Sequence, residues 1–281
     1  MTRRRPLVLF MTFVLILFCA PSVSRSQPAY VLDLRDLMDA RYGIGLWTQR
    51  TGVGVGSDIG PAICDGLTAI QSQFVFGGTI KIPPGNWLMN TPIPASLLSG
   101  NRIEGAHSQA SKIIFNNANN AAFSFNGSGF ATGGGMSGLG ILLESGLGNT
   151  NSYAILINGD SVHQQDQTSW DDLYITYKSD PVLPAPYWWD GFHVEGIART
   201  SPLGVRVSTL RNVQVFNTRN APFYFRNVVQ WTLDNVGAYT GIGPYANTIL
   251  ISGAVHLYGQ GVNASINIFG SSDVMINGIK Y

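Results

Sequence analysis

Residues Gly77–Ile93 have the sequence GGTIKIPPGNWLMNTPI, and this segment decides the fold. Thr79–Ile82 alternates between apolar and polar residues, which is the pattern of a strand with one buried face. Pro83-Pro84-Gly85 is a turn signal, and an extended apolar run resumes at Trp87–Met89. Two short strands joined by a sharp corner predict the first corner of a solenoid.

An amphipathic helix is predicted immediately before this corner. Apolar residues recur at spacings of three and four, at Ile59, Ile63, Leu67, Ile70 and Phe74. Ser57 or Asp58 can cap the helix, and Pro61 fits its first turn. Because the end of a solenoid exposes its core and its backbone groups, we expect this helix to cover the first coil.

The same residues resemble a known family. Thr68-Ala69-Ile70-Gln71, Gly77–Leu88 and Asn101–Gly105 are similar to the entry of pectate-lyase-superfamily chains into their fold. The resemblance is to the rhamnogalacturonase/epimerase-like branch, which is related to polygalacturonases and phage tailspikes. It implies an all-β chain, a single-stranded right-handed parallel β-helix (pectin-lyase-like) with a short N-terminal capping helix, and a carbohydrate partner.

Two kinds of short apolar segment then alternate along the chain. The first kind is Tyr153–Gly159, Asp190–Gly196, Ala221–Asn227, Asn247–Gly253 and Ala264–Gly270. The second kind is Met136–Ile141, Trp170–Ile175, Leu210–Val215, Leu233–Ala238 and Val274–Ile279. Turn residues Asn212 and Asn235 are 235 − 212 = 23 positions apart, a spacing typical of one β-helix coil. A β-sandwich or jelly roll is the alternative, but regular hairpin turns are missing.

The N-terminus predicts export. Three arginines, an apolar run from Leu7 to Ala20 and several small residues have the order of a secretory signal peptide. The apolar run is shorter than the roughly 17–25 residues of a membrane span, which disfavours the alternative of an uncleaved anchor. We predict a leader at residues 1–26, an N-terminal segment with the capping helix at 27–76, and the β-helix at 77–281. The mature protein would be secreted or periplasmic, with no membrane attachment.

Composition excludes some functions. Charged residues are 12% of the chain and the net charge is +1, without the basic patch that nucleic-acid binding needs. The histidines lack metal-ligand spacing and no phosphate-binding motif is present, so we expect no metal and no cofactor. Val274–Tyr281 is strand-like, which predicts an open sheet edge that pairs with another copy of the chain in a homo-oligomer.

Acidic and aromatic residues concentrate in one window. Seven of the 16 Asp and Glu residues lie between Asp160 and Glu195, where the coils lengthen into loops. Aromatic rings beside carboxylates are typical of sugar-binding sites. The predicted substrate-binding residues are Trp170, Tyr174, Tyr187, Trp188 and Trp189.

Strand alternation predicts a polar patch in the same region. If Phe192 and Val194 point into the core, His193 and Glu195 point outward. On the next coil Tyr224 and Arg226 would then lie beside them. The predicted catalytic residues are Asp172, Asp190, His193, Glu195, Tyr224 and Arg226.

Two chemistries fit this patch. A carboxylate pair from Asp172, Asp190 and Glu195 could hydrolyse a glycosidic bond. Alternatively, a base (His193, Tyr224 or Arg226) could remove the proton beside a uronate carboxylate, with a positive group to hold the charge. The catalytic motifs of polygalacturonases and pectate lyases are missing, so the resemblance names no single reaction. The sequence predicts cleavage of an acidic polysaccharide, with a non-catalytic carbohydrate-binding or surface-structural β-helix as the alternative.

Overall fold

The structure is a computed structural model. It describes residues 30–73, 77–98, 100–126, 131–132, 134–159, 165–166, 168–178, 185–196, 205–252, 255–269 and 273–277. The predicted leader, Phe74 of the predicted helix, and Asp160 of the acidic window lie outside the described residues. So do the last residues of the chain, 278–281.

Three helices and twenty strands make up the described chain. The helices are α1 (Leu34–Tyr42), α2 (Ile59–Gln73) and α3 (Ala95–Leu98). The first ten strands are β1 (Tyr30–Asp33), β2 (Gly78–Ile82), β3 (Gly85–Met89), β4 (Arg102–Gly105), β5 (Ser111–Phe115), β6 (Phe123–Asn126), β7 (Ala131–Thr132), β8 (Gly135–Leu143), β9 (Tyr153–Asn158) and β10 (Gln165–Asp166). The others are β11 (Ser169–Tyr177), β12 (Asp190–Glu195), β13 (Val205–Val215), β14 (Phe223–Arg226), β15 (Val229–Asp234), β16 (Gly237–Ala238), β17 (Thr248–Ser252), β18 (His256–Gln260), β19 (Ser265–Phe269) and β20 (Asp273–Asn277).

The strands form three faces in which every described strand pair is parallel. Face A has the order β1-β2-β4-β8-β11-β13-β15-β18-β20, and face C has the order β6-β9-β12-β14-β17-β19. Face B consists of β3, β5, β16 and the second halves of β8, β11 and β13. Both long orders follow the chain, so each turn of the chain adds one strand to each face. This topology is consistent with a parallel β-helix and excludes the antiparallel pairing of a β-sandwich.

The chain bends from face A to face B at residues with a left-handed backbone conformation, which occupy equivalent positions on successive coils. Asp172, Asn212 and Asn235 have φ of 50°, 54° and 52°, and Gly138 has φ of 65°. Asn and Asp tolerate this region better than other non-glycine residues. Asn235 Nδ2 donates to Asn212 Oδ1 at 2.9 Å across neighbouring coils. The 23-residue spacing of these asparagines is therefore one coil, as predicted.

The core is filled by side chains that point inward from all three faces. Phe192 is fully buried and lies edge-on to Trp170 and Trp231, with ring centroids 5.2 and 6.1 Å apart. Phe225 packs edge-on to Trp231 at 5.4 Å. Val194 is also fully buried. The predicted inward orientation of Phe192 and Val194 is confirmed.

The helix predicted before the first corner is present as α2. Its four predicted apolar residues within the described range, Ile59, Ile63, Leu67 and Ile70, are fully buried. The Asp58 carboxylate caps it by accepting from Gly60 N at 3.0 Å, and it also accepts from Asn90 N at 2.9 Å. One residue thus joins the start of α2 to the turn after β3.

The segment before α2 has more structure than the sequence predicted. Strand β1 pairs with β2 in register, from Tyr30 opposite Gly78 to Asp33 opposite Lys81, so face A begins before the first predicted corner. Asp33 then caps α1 through Arg35 N at 2.8 Å. In the described part of the chain no helix combines the length and the apolar character needed to cross a bilayer.

Candidate functional site

The outward side chains of β12 and β14 form a polar cluster on face C. The register places His193 opposite Tyr224 and Glu195 opposite Arg226. The flanking coils place Leu156 opposite His193 and Leu250 opposite Tyr224, with the uncharged Asn158 and Ser252 opposite Glu195 and Arg226. These neighbour relations confirm the arrangement that strand alternation predicted.

Asp190 anchors the cluster from beneath the surface. It is fully buried at the start of β12. Its Oδ2 lies 2.7 Å from His193 Nδ1, while its Oδ1 accepts from Asn220 Nδ2 and Ala221 N, each at 2.8 Å. Because an ionised carboxylate only accepts hydrogen bonds, Nδ1 of His193 is the donor to Asp190, and Nε2 is the ring nitrogen that faces away from this carboxylate. Asp190 orients the imidazole and cannot contact a substrate itself.

The imidazole of His193 is held on both faces. Its centroid lies 4.4 Å from the ring of Tyr153 and 4.5 Å from the ring of Tyr224, which stacks on it at an interplanar angle of 19°. The His193 side chain is 10% exposed. Its Nε2 lies 3.6 Å from Glu195 Oε2, which is beyond a normal hydrogen bond. The ring is therefore fixed, and its Nε2 edge faces the more exposed part of the cluster.

Glu195 and Arg226 form the exposed rim. Arg226 Nη1 donates to Glu195 Oε1 at 2.8 Å. The side chain of Arg226 is 49% exposed and that of Glu195 is 41% exposed. An exposed pair of this kind contributes little to stability. It does place a guanidinium and a carboxylate beside the imidazole edge.

The two tyrosines remain neutral over the physiological pH range. Burial raises the pKa of Tyr153 to about 12, with the negative charges of Asp190 and Glu195 adding to the effect. Burial also raises the pKa of Tyr224, although Arg226 opposes the shift. A raised pKa disfavours the tyrosinate, so the predicted role of Tyr224 as a base is not supported, and the ring acts as a stacking partner of His193.

Asp172 lies at a different corner of the coil, which corrects the prediction that it joins the cluster. It occupies the bend between faces A and B in β11. Its carboxylate accepts from Ser108 N at 3.0 Å and Ser108 Oγ at 2.6 Å, and His107 Nε2 lies 3.7 Å away. The left-handed turn favours Asp, Asn or Gly there, so the fold accounts for this residue.

Two of the predicted substrate-binding tryptophans are core residues. Trp170 is fully buried and donates from Nε1 to Thr168 Oγ1 at 3.0 Å. Trp188 is fully buried, stacks on Phe115 at 6.0 Å and donates from Nε1 to the Thr176 carbonyl at 2.7 Å. Neither ring can reach a polysaccharide, so these two assignments are wrong. The indole rings of both tryptophans pack in the core, and each indole N–H donates a hydrogen bond there.

The other three predicted aromatic residues are partly exposed but do not form one platform. Trp189 directly precedes Asp190, and the Arg219 guanidinium lies 5.7 Å from its ring centroid. Tyr187 pairs by a parallel bridge with Leu147 on the preceding coil. Tyr174 is on face B, where it packs against Phe216 at 5.2 Å. Tyr187 and Trp189 are thus in the coil corner before β12, whereas Tyr174 faces another side.

Sequence reasoning missed Tyr153 and Asn220, which complete the cluster. The register places Tyr153 directly opposite Asp190 on the preceding coil. Aligning the repeats by their inward residues would have revealed Tyr153, since each repeat begins a fixed distance before its buried pair. Asn220 lies in a turn, and no periodicity marks it. Among the residues that the structure describes, no group of three or more His, Cys, Asp or Glu side chains could hold a metal ion.

The cluster presents the Nε2 edge of His193 and, at Arg226, a guanidinium that can hold an anionic group. It does not provide two accessible carboxylates, because Asp190 is buried and Asp172 is elsewhere. Glu195 is the one exposed carboxylate among the described members of the cluster.

Comparisons with known proteins do not assign a family. No family model and no curated protein matches the chain. One similar solved structure is ORF18 of Geobacillus virus E2, with 13% identity over 98% of this chain and 66% of that chain, at a TM-score of 0.33. This chain therefore spans slightly less than two thirds of the viral protein. Another is the catalytic unit of a thermostable GH87 α-1,3-glucanase from Streptomyces thermodiastaticus strain HF3-3, with 11% identity over 92% of this chain and 71% of that chain, at a TM-score of 0.25. Similarity this low assigns neither family nor activity, so function is argued from the site.

Proposed function

We propose that the protein is exported, to the periplasm or the medium, and cleaves an acidic polysaccharide by β-elimination at His193. The observation that carries this is the fixed imidazole: buried Asp190 holds Nδ1 at 2.7 Å, and Nε2 faces the Glu195–Arg226 pair. The proposal includes the pectate lyase superfamily as the family, a right-handed coil, and α2 as the cap of its first turn. The entry motif at Gly77–Leu88 supports these three points.

The proposed chemistry assigns one step to each group. His193 Nε2 takes the proton from the carbon that bears the uronate carboxylate. Arg226 binds that carboxylate and stabilises the negative charge that develops on it. The electron pair forms a carbon–carbon double bond, the adjacent carbon–oxygen bond breaks, and the leaving oxygen takes a proton from water. Asp190 stabilises the imidazolium that forms, and Glu195 orients Arg226.

Geometry favours elimination over hydrolysis. Two-carboxylate hydrolysis needs one carboxyl to protonate the leaving oxygen and another to act on water or on the sugar, and both must reach the bond. Both oxygens of Asp190 are engaged within the protein, and the residue has no exposed surface. Elimination needs one base and one cation, and His193 and Arg226 provide them on neighbouring strands.

The test is an activity screen of the chain without its leader, residues 27–281, on polygalacturonate, alginate and hyaluronate. Elimination gives an unsaturated uronate that absorbs in the ultraviolet together with a new reducing end, whereas hydrolysis gives only the reducing end. His193→Ala should lower the rate by about 100-fold or more, the usual contribution of a general base. His107→Ala is the matched control, because this exposed histidine lies at the corner near Asp172, and it should leave the rate unchanged.

Reducing ends without ultraviolet absorbance would contradict the elimination and indicate a hydrolase. Absence of both signals from all three polymers would contradict cleavage of an acidic polysaccharide. An equal loss of rate in the two histidine variants would show that His193 is not the base.

The second candidate is a protein that binds polysaccharide without cleaving it. The observation that favours it is that Glu195 and Arg226 satisfy each other while two tyrosines cover His193, as in a cross-strand ladder. Binding without cleavage, weakened by Arg226→Ala and not by His193→Ala, would identify this function.

A further inference from the structure

A column of stacked aromatic rings lies on the outer side of face B and the corner after it. Phe216 and Tyr239 belong to successive coils, and their rings stack at 4.5 Å with an interplanar angle of 14°. Tyr174 packs against Phe216 at 5.2 Å. The 4.5 Å separation matches the spacing of neighbouring strands, about 4.8 Å, so the coil stacking itself brings the rings together.

The column stops at Tyr239. Gly237 pairs with Asn263 of the next coil, and Ala238 N donates to the Asn263 carbonyl at 2.9 Å. This pairing places the small residues Ala264 and Ser265 beside Tyr239. One face of the Tyr239 ring is covered by Phe216 of the preceding coil, and Tyr239 is also among the residues that line a pocket of about 270 Å³.

The described residues that line this pocket are uncharged. Thr240, Asn247, Asn263 and Ser265 line it together with Tyr239, and no charged side chain is among its described lining residues. Asn263 Nδ2 donates to the Tyr239 hydroxyl oxygen at 3.1 Å. The tyrosine hydroxyl accepts in this contact, so its own hydrogen remains for a further acceptor.

We propose that this pocket binds one neutral sugar residue of a polysaccharide. Its volume is slightly below the ~300–1,000 Å³ of sites for drug-sized ligands, as suits a single pyranose ring. A tyrosine, two alanines, and nearby carboxamides and hydroxyls suit a ring that has apolar C–H faces and hydroxyl edges. A uronate is disfavoured, because its carboxylate would lose water without a cation to compensate.

The pocket is a separate site from the His193 cluster. It lies at the corner between faces B and C, next to the first residues of β17 and β19, whereas the cluster lies on β12 and β14. The proposal does not depend on elimination at His193, and either can be wrong alone.

The experiment is a glycan array carrying neutral and uronate-containing oligosaccharides, probed with residues 27–281 and confirmed by calorimetry on the best neutral ligand. Tyr239→Ala should weaken neutral-sugar binding by about tenfold or more, since an aromatic contact and a hydrogen bond are lost together. Tyr258→Ala removes an exposed tyrosine on face A and should leave the affinity unchanged. Cleavage of acidic polymers should not change in either variant.

A second variant tests the pocket independently if Tyr239→Ala does not fold. Ser265→Trp leaves the Phe216–Tyr239 stack in place and fills the pocket, so it should also abolish binding while circular dichroism and thermal unfolding stay close to those of the wild type. Failure of the wild type to bind any neutral oligosaccharide on the array would overturn the proposal. So would unchanged affinity in folded Tyr239→Ala or Ser265→Trp protein.

Discussion

Replacing Asp190 should show how much of the cluster depends on one buried carboxylate. In Asp190→Ala three donors lose their acceptor: His193 Nδ1, Asn220 Nδ2 and Ala221 N. Ala221 is fully buried and His193 nearly so, so water cannot fully replace the lost acceptor. Asp190→Asn is milder, because it keeps Oδ1 for Asn220 and Ala221 and changes only the group that faces His193.

The expected losses differ by a measurable amount. Each buried donor left without an acceptor costs about 1–3 kcal/mol, and removal of one partner of a buried pair costs about 3–5 kcal/mol. We therefore expect Asp190→Ala to lower the free energy of unfolding by about 3–5 kcal/mol. Asp190→Asn should lower it by about 1–2 kcal/mol, since the three contacts to a charged carboxylate become contacts to a neutral amide.

The assay is urea unfolding followed by tryptophan fluorescence, with ¹⁵N NMR of the His193 imidazole. Because the asparagine amide donates where the carboxylate accepted, Asp190→Asn should move the imidazole hydrogen from Nδ1 to Nε2. Asp234→Ala is the control, since its carboxylate contacts Gln260 at the surface and should cost less than about 0.5 kcal/mol. A loss below about 1 kcal/mol in Asp190→Ala, or an unchanged imidazole tautomer in Asp190→Asn, would refute the anchoring role.

Three further predictions concern the core, the corner and the surface charges. Phe192→Ala should cost about 3–5 kcal/mol in urea unfolding because it leaves a cavity between two tryptophans, whereas Phe269→Ala at an exposed position should cost less than about 0.5 kcal/mol. Asn212→Ala should cost about 1–2 kcal/mol because alanine is strained at φ 54°, and Asn212→Gly should cost less because it removes the strain and loses only the exposed side-chain hydrogen bonds to Asp171 and Asn235. Arg211 lowers the pKa of Asp171 below its ordinary 3.8 through a two-point contact at 3.1 and 2.6 Å, so the pair stabilises the fold above that pH. The stability difference between the wild type and Arg211→Gln, measured by unfolding from pH 7 to pH 2, should therefore shrink as the pH falls through the lowered pKa, and a difference that grows in acid would contradict it.

Local sequence signals predicted the first coils and the repeats. The prolines of the turn signal at Pro83-Pro84-Gly85 separate β2 from β3, and Arg102–Gly105 of the segment Asn101–Gly105 is β4, in register with β2. The five segments of the first kind became successive strands of face C from β9 onward. These features are predictable because alternation and turn residues act over a few positions, where the sequence alone determines the preferred backbone.

Part of the candidate site could also be predicted from the sequence. Alternation around Phe192 and Val194 was enough to place His193 and Glu195 outward, and matching the repeats put Tyr224 and Arg226 beside them. Alternation gives the direction of a side chain, however, and not its exposure. For this reason the burial of Trp170 and Trp188 could not be foreseen from an aromatic-rich window.

The amino-acid sequence by itself determined where strands and corners form and which side chains of face C point away from the core. Only the tertiary structure decided which corner holds Asp172, that Asp190 is buried with three donors around it, and that the aromatic column ends beside a pocket at Tyr239. The physical reason is that strand period and turn preference are local. Burial, hydrogen-bond partners and cavities depend on which coils become neighbours, and residues 30 or more positions apart, such as Asp190 and Asn220, meet only when the coils stack.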